Sequence, residues 1–508
     1  MKISGIEAIL PNSIDYKMIK KSMVRGTRRT VRLNPANEVN NFNYNSNRII
    51  KFNIPCNGFL DLQNTTFNFI AQGSSSLSNQ TISFTASTAT NVLTVTAVAS
   101  GTLYVGMTVT GAGVPLGLTI SAFGTGSGGT GTYILSGTAG TVGSETMVGS
   151  AALINFNNFI ESTINRLEIF AGDGNTQIES LHQYNINASA KAKYMMSDNY
   201  VANIGHVMQG YYTGVNARGN LQAQCQVQQG YGVNFIASGI FQNDIKYLPL
   251  ALMSGLAGYS RSMIIEITLE NPFLCMQSTA PADQLNYTIS QAYMNLELIE
   301  MPELEMKLMN DVKNGMILAI PYQTADLWTN QVSTAGENVY SWAEYKEYLQ
   351  SIRTIFVPQK SDATTSFTYN WVRPDINNYQ YKIKDTWYPT LPVQMTLAAG
   401  QDSNATQYVE LLKVFDMVKK YQHGNQVDYT TSVTTDFMLA QTLQTFYNDK
   451  QFMCNSGEYW LDGVDTSDAS QVVFRMYLNS APTNLSIYTF FDFVGALVFD
   501  PFKMNVIK

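Results

Sequence analysis

Histidine is the side chain most often used for acid–base and metal chemistry near neutral pH, and this chain has only three histidines, His182, His206 and His423. No two of them have the spacing of an HExxH metal-binding helix. His423 follows a predicted helix end, where a cation or a hydrogen-bond donor suits the helix dipole. We therefore interpret all three as surface or packing residues and predict neither a metal site nor a cofactor.

A glycine-rich segment, residues 124–129, formally matches the dinucleotide-binding pattern GxGxxG. Such a site requires the loop to lie between a strand and a helix, so that the helix N-terminus faces the pyrophosphate. Here the β-type run Tyr133–Leu135 follows instead. We interpret the match as accidental, and the sequence contains no GxxxxGK[ST] phosphate loop.

Two groups of carboxylates could in principle support hydrolysis or calcium binding. They are Glu297, Glu300, Glu303 and Glu305, and Asp462, Asp465 and Asp468. The glutamates surround the exit of a predicted strand, marked by Pro302, on which Glu297 faces outward. The aspartates lack EF-hand spacing and fit a polar turn. We predict that the chain is not an enzyme and assign no catalytic, cofactor-binding or metal-binding residue.

Composition limits the elements that could position any site. A chain of 508 residues suggests two or three domains. Charged residues make up 14% of it, against roughly 25% in ordinary soluble proteins. The hydrophobic share of 45% and the aromatic share of 12% argue against disorder. This composition favours strands and turns and a large uncharged polar surface.

Charge is unevenly distributed along the chain. The net charge of −7 and the pI near 5.1 argue against a dedicated nucleic-acid-binding protein. The first stretch is nevertheless basic, and its candidate contact residues are Lys17, Lys20, Lys21, Arg25, Arg28, Arg29 and Arg32. One interpretation is a solvated terminus. The other is a basic arm that rests on an anionic surface such as packaged DNA or an inner lipid layer.

The four cysteines are far apart and form no CxxC pair, which favours a reducing compartment over a disulfide scaffold. Lysines interrupt the first residues, so that they lack the apolar core of a signal peptide. No stretch approaches the roughly 18 apolar residues of a membrane span. We expect a soluble protein that is made in a cytosol.

Alternating apolar and polar residues predict strands in both halves of the chain. The predicted strands cover residues 49–54, 59–70, 164–170, 262–270, 293–299, 472–478 and 497–502. Helices are predicted over residues 341–352, where Ser341 and Glu344 form a capping box, and over residues 406–422 and 436–447. Since strands dominate without a strand–helix rhythm, the pattern indicates antiparallel sandwiches.

One segment differs sharply in composition from its flanks. No charged residue occurs from Leu62 to Ser144, and residues 101–149 are dense in glycine. The segment could be a low-complexity linker or a small all-β insert. The insert is favoured because short β-branched runs recur between glycine turns. Residues 103–136 resemble small β modules that decorate phage and marine-virus surface proteins.

Three passages resemble the major capsid proteins of the double jelly-roll lineage, which includes nucleocytoplasmic large DNA viruses, virophages, polinton-like viruses and tailless phages. The passage at residues 50–62 is similar to the early strand pair with its "NGDL"-like turn. Residues 159–178 are similar to the strand and hairpin with a "GGQxID"-like turn. The most specific passage, Tyr247 to Leu250 followed by Met263 to Leu269, is similar to "LPL" and the strand near the end of the first jelly roll.

The resemblance covers about residues 45 to 320, and a virophage-like or polinton-like branch suits the length. It implies an all-β fold of two antiparallel eight-stranded jelly rolls in tandem, with a small β-rich insert in the first and a few short helices in the loops. The expected domains are a basic arm (1–44), a first jelly roll (45–305) with the insert at about 73–150, and a second jelly roll (306–508).

The resemblance implies a major capsid protein whose homotrimer forms a pseudo-hexagonal capsomer of an icosahedral shell enclosing DNA. The alternative is a trimeric receptor-binding fibre or adhesin of a virus or phage. The implied partners are the chain itself, neighbouring capsomers, and penton and minor capsid proteins. Genome DNA or an inner membrane would meet the interior-facing arm, and a host surface would meet the insert. The expected location is the virion, assembled in the host cytoplasm or virus factory.

Overall fold

The computed structural model describes most of the chain, with gaps. The described residues are 26–37, 39–76, 81–150, 154–157, 159–197, 200–205, 208–210, 222–224, 228–243, 245–253, 261–278, 284–359, 371–395, 405–415, 417, 436–444, 462–468, 471–499 and 504–507.

Strands dominate these residues. They are β1 Thr27–Leu33, β2 Asn41–Phe42, β3 Ile49–Pro55, β4 Phe59–Asp61, β5 Thr66–Ser75, β6 Ile82–Ala89, β7 Val92–Ser100, β8 Thr108–Thr110, β9 Ile120–Phe123, β10 Gly131–Leu135, β11 Val142–Ser150, β12 Ile154–Asn157, β13 Ile164–Ala171, β14 Gln177–His182, β15 Gln222–Gln224, β16 Gln229–Val233, β17 Tyr247–Pro249, β18 Arg261–Leu269, β19 Met276–Ser278, β20 Leu285–Glu300, β21 Leu318–Val332, β22 Gly336–Ala343, β23 Leu349–Pro358, β24 Ile376–Ile383, β25 Thr386–Gln394, β26 Met438–Thr442, β27 Gln471–Leu478, β28 Leu485–Phe499 and β29 Met504–Ile507.

The helices are short and lie in the connections between strands. They are α1 Tyr184–Met195, α2 Leu250–Met253, α3 Pro272–Cys275, α4 Pro302–Lys313 and α5 Ala405–Val414, with a 3₁₀ helix at Ile160–Thr163 and a π helix at Val201–Gly205.

The first sandwich is built from eight main strands, which in chain order are β1, β3, β5, β13, β14, β16, β18 and β20. Sheet 1 has the order β1-β20-β5-β16, with β2 and β4 also paired to β20 and β17 paired to β4. Sheet 2 has the order β3-β18-β13-β14. Numbered one to eight along the chain, the two sheets therefore read 1-8-3-6 and 2-7-4-5. This order is the double Greek key of a jelly roll.

The second sandwich repeats the same order with eight consecutive strands. Sheet 3 is β21-β28-β23-β26, and sheet 4 is β22-β27-β24-β25. Counted from β21, these are again 1-8-3-6 and 2-7-4-5, and every pairing is antiparallel. The predicted fold class, two antiparallel eight-stranded jelly rolls in tandem, is confirmed.

Side-chain alternation explains why these segments are strands. In β3, Ile50, Phe52 and Ile54 are fully buried, while Lys51 and Asn53 between them are only half-buried. This period of two sends one face of the strand into the core. Strand β23 is instead buried from Leu349 to Val357, because sheet 3 is covered on both of its faces.

The insert is a closed barrel between the third and fourth strands of the first jelly roll. Its sheet has the order β8-β11-β6-β7-β10-β9. The two edge strands also meet, since the amide of Val109 donates to the carbonyl of Leu118 and the amide of Ile120 to that of Met107, both at 2.9 Å. Closure leaves no exposed sheet edge. The barrel has an apolar core of its own, which contains Tyr133, and the predicted β-rich insert is confirmed.

The boundary of the predicted N-terminal arm differs from the structure. Residues 27–33 form β1, which pairs with β20 from Thr27↔Glu300 to Leu33↔Met294. The first jelly roll therefore begins before residue 45. This strand is not apparent from its sequence, TRRTVRL, because its outward positions carry charged side chains. In the folded chain these side chains interact with residues of sheet 1. Residues 1–25 lie outside the described residues.

Two predicted helices are strands. Residues 341–352 contain the end of β22 and the start of β23, and residues 436–444 contain β26, while residues 445–447 lie outside the described residues. Ser341 caps no helix but pairs with Val473 across the sheet. Strand β26 is apolar on both faces, because Leu439 enters the core of the second jelly roll while Met438 and Ala440 belong to the cluster on the opposite face of the sheet, to which α1 and α5 contribute. Short apolar runs of this kind do not distinguish strand from helix.

Two further predicted elements, a helix and a strand, are confirmed in part. The helix predicted at residues 406–422 is confirmed in its first part as α5, which ends at Val414, and residues 415 and 417 are not helical. Residues 416 and 418–422 lie outside the described part of the chain. The strand predicted over residues 59–70 is interrupted after Asp61 by a turn, in which Asn64 and Thr65 hydrogen-bond back to Asp61. Helices α1 and α4 were not predicted.

Candidate assembly surfaces

Helix α1 belongs to the first jelly roll and lies at its junction with the second, where it packs against both. Tyr184, Ala188 and Ala192, one helical turn apart, belong to the core of the first jelly roll. On the opposite side, a second row packs against the outer face of sheet 3, that is, the face directed away from the core of the second jelly roll. This row is Ile186, Ala190 and Tyr194. With two opposite apolar faces, the helix has no amphipathic pattern in its sequence.

A buried arginine ties α1 to sheet 3. Arg353 on β23 is 1% exposed, and its Nε donates to Asp492 Oδ2 at 2.6 Å. Its Nη2 donates to Asn187 Oδ1 on α1 at 2.9 Å. Ser351 Oγ also donates to Asp492 at 2.6 Å. The guanidinium charge is therefore matched by a carboxylate on its own sheet and by a neutral acceptor across the junction.

A second buried ion pair crosses the same junction. Lys193 on α1 pairs with Asp436, and both side chains are at most 5% exposed. The lysine Nζ lies 4.6 Å from the centroid of the Trp371 ring, and the Tyr194 hydroxyl donates to the Asp436 carbonyl at 2.7 Å. A buried pair of this kind requires both partners, because either charge alone would be left uncompensated.

The edge strand β14 of sheet 2 is covered by the second jelly roll. Tyr322 on β21 donates its hydroxyl to the Ile178 carbonyl at 2.6 Å. Beside it, Gly239 lies so close to β21 that a Cβ atom there would be 1.4 Å from the Gln323 carbonyl oxygen. The carboxylate of Glu179 accepts from the Gly239 amide at 2.7 Å. Only glycine fits this approach.

Two carboxyl groups are fully buried in the first jelly roll. Burial raises the pKa of Glu161 to about 7, against hydrogen bonds from Tyr184, Gln209 and the Ile236 backbone that lower it. Burial also raises the pKa of Glu179. Both groups bind the segment that follows β16, Glu161 through the Ile236 backbone and Glu179 through Ser238 and Gly239. Neither has the exposure that catalysis on a dissolved substrate requires.

Three of the predicted arm residues lie in β1, and each has a partner in sheet 1. Arg28 pairs with Asp61 at 2.9 Å and with Glu297 at 2.8 Å, and Arg29 pairs with Glu300 at 2.9 Å. The guanidinium of Arg32 lies 3.9 Å from the centroid of the Tyr293 ring. These arginines attach β1 to β20. The other four, Lys17, Lys20, Lys21 and Arg25, lie outside the described residues.

The carboxylate groups considered from sequence do not converge. Glu297 and Glu300 form ion pairs with Arg28 and Arg29 of β1, while Glu303 and Glu305 follow in the first turn of α4. Among the aspartates, Asp465 accepts from both the amide and the hydroxyl of Ser467, and Asp468 pairs with Lys384 at 3.0 Å. Within the described residues no group of three or more potential metal ligands occurs.

The GxGxxG match is a turn between β9 and β10. The Tyr133 hydroxyl donates to the Gly129 carbonyl at 2.6 Å and accepts from the Gly128 amide at 3.0 Å. A Cβ atom on Gly126 would lie 2.6 Å from the Tyr133 ring. The glycines therefore make room for a tyrosine of the barrel core. As for the other sequence expectations, His182 ends β14, and His206 and His423 lie outside the described residues. Neither Cys56 nor Cys275 forms a disulfide with another described residue.

Within the described residues, two surfaces that correspond in position to the internal junction are not covered. Strand β25 occupies in sheet 4 the place that β14 occupies in sheet 2, yet Leu391 at its centre is 77% exposed. On the outer face of sheet 1, β5, β16 and β20 form a groove of about 390 Å³. Its lining is uncharged: Thr66, Asn68, Phe69, Ile70, Met208, Gly230, Tyr231, Gly232, Gln291 and Tyr293.

Comparison with known proteins gave matches among solved structures. The chain is similar to the Faustovirus major capsid protein at 12% identity with a TM-score of 0.47, over 97% of this chain and 94% of that chain. It is similar to the mavirus major capsid protein at 8% identity with a TM-score of 0.42, over 98% and 94% of the two chains. A chain of the PBCV-1 virus capsid matches at 8% identity and a TM-score of 0.47, over 97% and 99%.

The likeness is one of fold. No family model and no curated protein matches the chain. In the described part of the chain, no helix is long and apolar enough to cross a bilayer.

Sequence reasoning missed the junction residues altogether. Asn187, Lys193, Arg353 and Asp492 carry no motif, and they are scattered over three elements. The one available signal was Arg353 next to the apolar residues Ile352, Ile355, Phe356 and Val357 of β23, since a charged residue within a buried strand requires a partner.

Proposed function

We propose that this chain is the major capsid protein of an icosahedral virus, whose homotrimer forms a pseudo-hexagonal capsomer. The observation that carries the proposal is the repeated strand order, 1-8-3-6 and 2-7-4-5, in two sandwiches that share one buried junction. Jelly rolls occur in viral capsids but also in lectins and cupins, so fold alone does not determine function. The resemblance of three sequence passages to capsid proteins of the double jelly-roll lineage supports the capsid role.

The low charge of the chain supports the same function. Obligate interfaces are depleted of charged residues at their centres, and a shell tile must bury much of its side surface against identical neighbours. Neither strand β25 nor the residues that line the groove of sheet 1 include a charged side chain, although the guanidinium of Arg32 lies against the ring of Tyr293 in that groove. A structural role also accounts for buried carboxyl groups that serve packing. The protein would act without a cofactor and without catalysis.

The partners follow from this role. We infer contacts with neighbouring capsomers and with penton and minor capsid proteins, in a shell assembled in the host cytoplasm or virus factory. The barrel insert would contact a host surface. The basic segment before β1 would face the interior, against genome DNA or an inner membrane.

Sedimentation and negative-stain electron microscopy of the purified protein test the proposal. We expect a trimer as the smallest stable species, seen as a compact hexagonal tile. A folded monomer at micromolar concentration would contradict the capsomer. An elongated trimer would instead support the alternative, a receptor-binding fibre, although two sandwiches side by side favour a tile.

The role of the basic segment is tested by a pair of truncations. Removal of residues 1–25 eliminates Lys17, Lys20, Lys21 and Arg25 but keeps β1, so we expect trimers that form but assemble or package poorly. Removal of residues 1–32 also strips β1 and its ion pairs from sheet 1, and should lower the thermal stability. Assembly yield and melting temperature separate the two effects. Normal packaging by the shorter truncation would exclude an interior-facing role.

A further inference from the structure

Each jelly roll has an edge strand at the same place in its fold. The second strand of the first jelly roll, β3, ends sheet 2, and the second strand of the second jelly roll, β22, ends sheet 4. An edge strand has a row of backbone amide and carbonyl groups that can pair with a further strand. The edges of β3 and β22 are therefore equivalent in position.

The edge of β3 is covered by the chain's own N-terminal region. The Ala36 amide donates to the Lys51 carbonyl at 2.6 Å, and the Asn37 side chain donates to the Ile49 carbonyl at 2.8 Å. The covering residues lie between β1 and β3 in the chain. In the first jelly roll, this edge is thus closed from within.

The equivalent edge of β22 is open. Among the described residues, the backbone groups of residues 337–343 pair only with β27, in an unbroken register. Natural edge strands are commonly protected by proline, lysine or a bulge, and β22 has none of these. Strand β25, at the other edge of sheet 4, contains Pro389 and Pro392, which have no amide hydrogen to donate.

The side chains of β22 hold the strand in place and leave an apolar position exposed beside the edge. Trp342 is 4% exposed, and its Nε1 donates to Asn330 of β21 at 3.0 Å. On the outer face, Val339 is 56% exposed, and the carboxylate of Glu337 pairs with Arg475 of β27. The edge therefore offers hydrogen-bonding groups, an apolar contact and a carboxylate.

Residues 1–25, which lie outside the described residues, contain a run whose sequence suits this edge. Apolar and charged side chains alternate from Ile14 to Met18 (IDYKM), the pattern of a strand with one buried face. A Cβ atom on Gly26 would lie 2.7 Å from Met301 Cγ, so the segment leaves the first jelly roll at the end of β20. Residues 19–25 can span about 25 Å when extended, which is enough to reach a copy alongside.

We propose that residues 14–18 add as a strand to β22 of a neighbouring copy. Strand addition pairs the open edge through main-chain hydrogen bonds, while alternate side chains provide specificity. The apolar side chains lie on the inner side, beside Tyr340, and Lys17 lies on the outer side, where Glu337 complements its charge. The basic residues after Met18 remain available for the anionic surface proposed above. This inference rests on the proposed function and specifies one contact between copies in the shell.

Peptide binding to the truncated protein of residues 26–508, which keeps every described element, tests the edge. The probe is a fluorescein-labelled peptide of residues 11–22, and its control is a peptide of the same composition in scrambled order. We expect the native peptide alone to bind, as measured by fluorescence anisotropy. Since the scrambled peptide has the same charge, equal binding of the two peptides would overturn the inference.

A substitution on β22 locates the binding. Val339→Lys should weaken binding of the native peptide about tenfold or more, because a lysine blocks strand addition at an edge and repels Lys17. Val148→Lys, at a barrel strand position that is 39% exposed, is the control and should leave the affinity unchanged. If Val339→Lys fails to fold, Ser341→Lys on the same face replaces it. Unchanged affinity in the β22 variant would overturn the inference.

Sedimentation of a mixture distinguishes a link between copies from a contact within one chain. Full-length Val339→Lys keeps the segment but has a blocked edge, whereas the 26–508 truncation keeps the edge but lacks the segment. Neither should form species larger than a trimer alone, while their mixture and the wild-type protein should. A mixture without larger species would show that the segment does not link copies.

These outcomes separate the inference from the proposed function. A monomeric wild-type protein would overturn the capsomer, and the peptide measurement would still decide whether β22 accepts the segment. A trimer whose β22 edge binds neither peptide would overturn only this inference, and the capsid role would stand.

Discussion

Glu161 shows how a single buried side chain organises a connection in the first jelly roll. Its carboxyl is fully buried beneath the start of α1 and accepts a hydrogen bond from the Tyr184 hydroxyl. Gln209 bridges it to Asn234, to which the Gln209 amide donates at 2.9 Å. The carboxyl therefore links the 3₁₀ helix, α1 and the segment after β16. A group of this kind makes stability depend on pH.

Stability should fall as the pH rises toward neutral. Burial raises the pKa of Glu161 from 4.5 to about 7, so the unfolded chain loses this proton at lower pH than the folded chain does. The contribution of the protonated Glu161 carboxyl to stability is complete below a pH of about 4.5 and is lost as the pH rises through about 7. The difference corresponds to about 3 kcal/mol in the free energy of unfolding. Glu161→Gln should flatten this dependence.

Urea unfolding, followed by tryptophan fluorescence between about pH 5 and about pH 8, measures the effect. The same Glu→Gln change at Glu303, which is exposed on α4, serves as the control. An equally steep pH dependence in Glu161→Gln and in the wild-type protein would show that the carboxyl is not responsible.

At the scale of elements, α1 determines how the two jelly rolls meet. It contributes one row of side chains to each body, and its polar residues Asn187 and Lys193 reach acceptors or donors on the second jelly roll. The apolar contacts are non-directional. The two polar contacts, in contrast, require one register of the helix against sheet 3.

Removal of one partner of the buried ion pair between Lys193 and Asp436 should lower the free energy of unfolding strongly. Lys193→Met keeps an apolar side chain of similar length over Trp371 but leaves Asp436 buried without its cation. We expect a loss of about 3–5 kcal/mol in the free energy of unfolding. The double variant with Asp436→Leu should recover most of it, because no unpaired charge remains. Chemical denaturation measures both variants.

A surface pair provides the control. Lys382 lies 3.8 Å from Asp385, which is fully exposed, and Lys382→Met should cost less than about 1 kcal/mol. Equal losses at positions 193 and 382 would mean that the junction pair contributes nothing beyond an ordinary surface contact.

At the scale of the whole molecule, the barrel insert and the jelly rolls are separate units. The barrel core shares no residue with the core of the first jelly roll. Its first and last strands are neighbours, with Ile82 opposite Gly149, so the chain enters and leaves at one place. Insertions of this geometry are tolerated, because they need no change in the host sheets.

Replacement of residues 81–150 by a short Gly-Ser linker should therefore leave the capsomer intact. We expect the same oligomeric state as the wild type by sedimentation and an unchanged main melting transition by calorimetry. Tyr133→Ala in the full-length chain is the companion variant, since it should destabilise the barrel alone. An insoluble or monomeric deletion protein would show that the barrel takes part in the fold or in trimer contacts.

The sequence by itself determined the fold class, the insert and many of the strands. The strands and the insert follow from the alternation of apolar residues in segments such as β3 and β18 and from the glycine-rich uncharged composition of residues 101–149. The double jelly-roll fold class was implied by the resemblance of passages such as that around Leu248 to Leu250. Such signals are local, because a strand with one buried face has a period of two.

Only the tertiary structure decided how the two jelly rolls join. Strand β26 and helix α1 are covered on both sides, so their sequences lack the period that identifies an amphipathic element. Arg28, Arg29 and Arg32 looked like a free basic arm, but they pair with carboxylates and an aromatic ring of sheet 1. The partners of Arg353 and Lys193 are distant in sequence, and contacts of that kind exist only once the chain has folded.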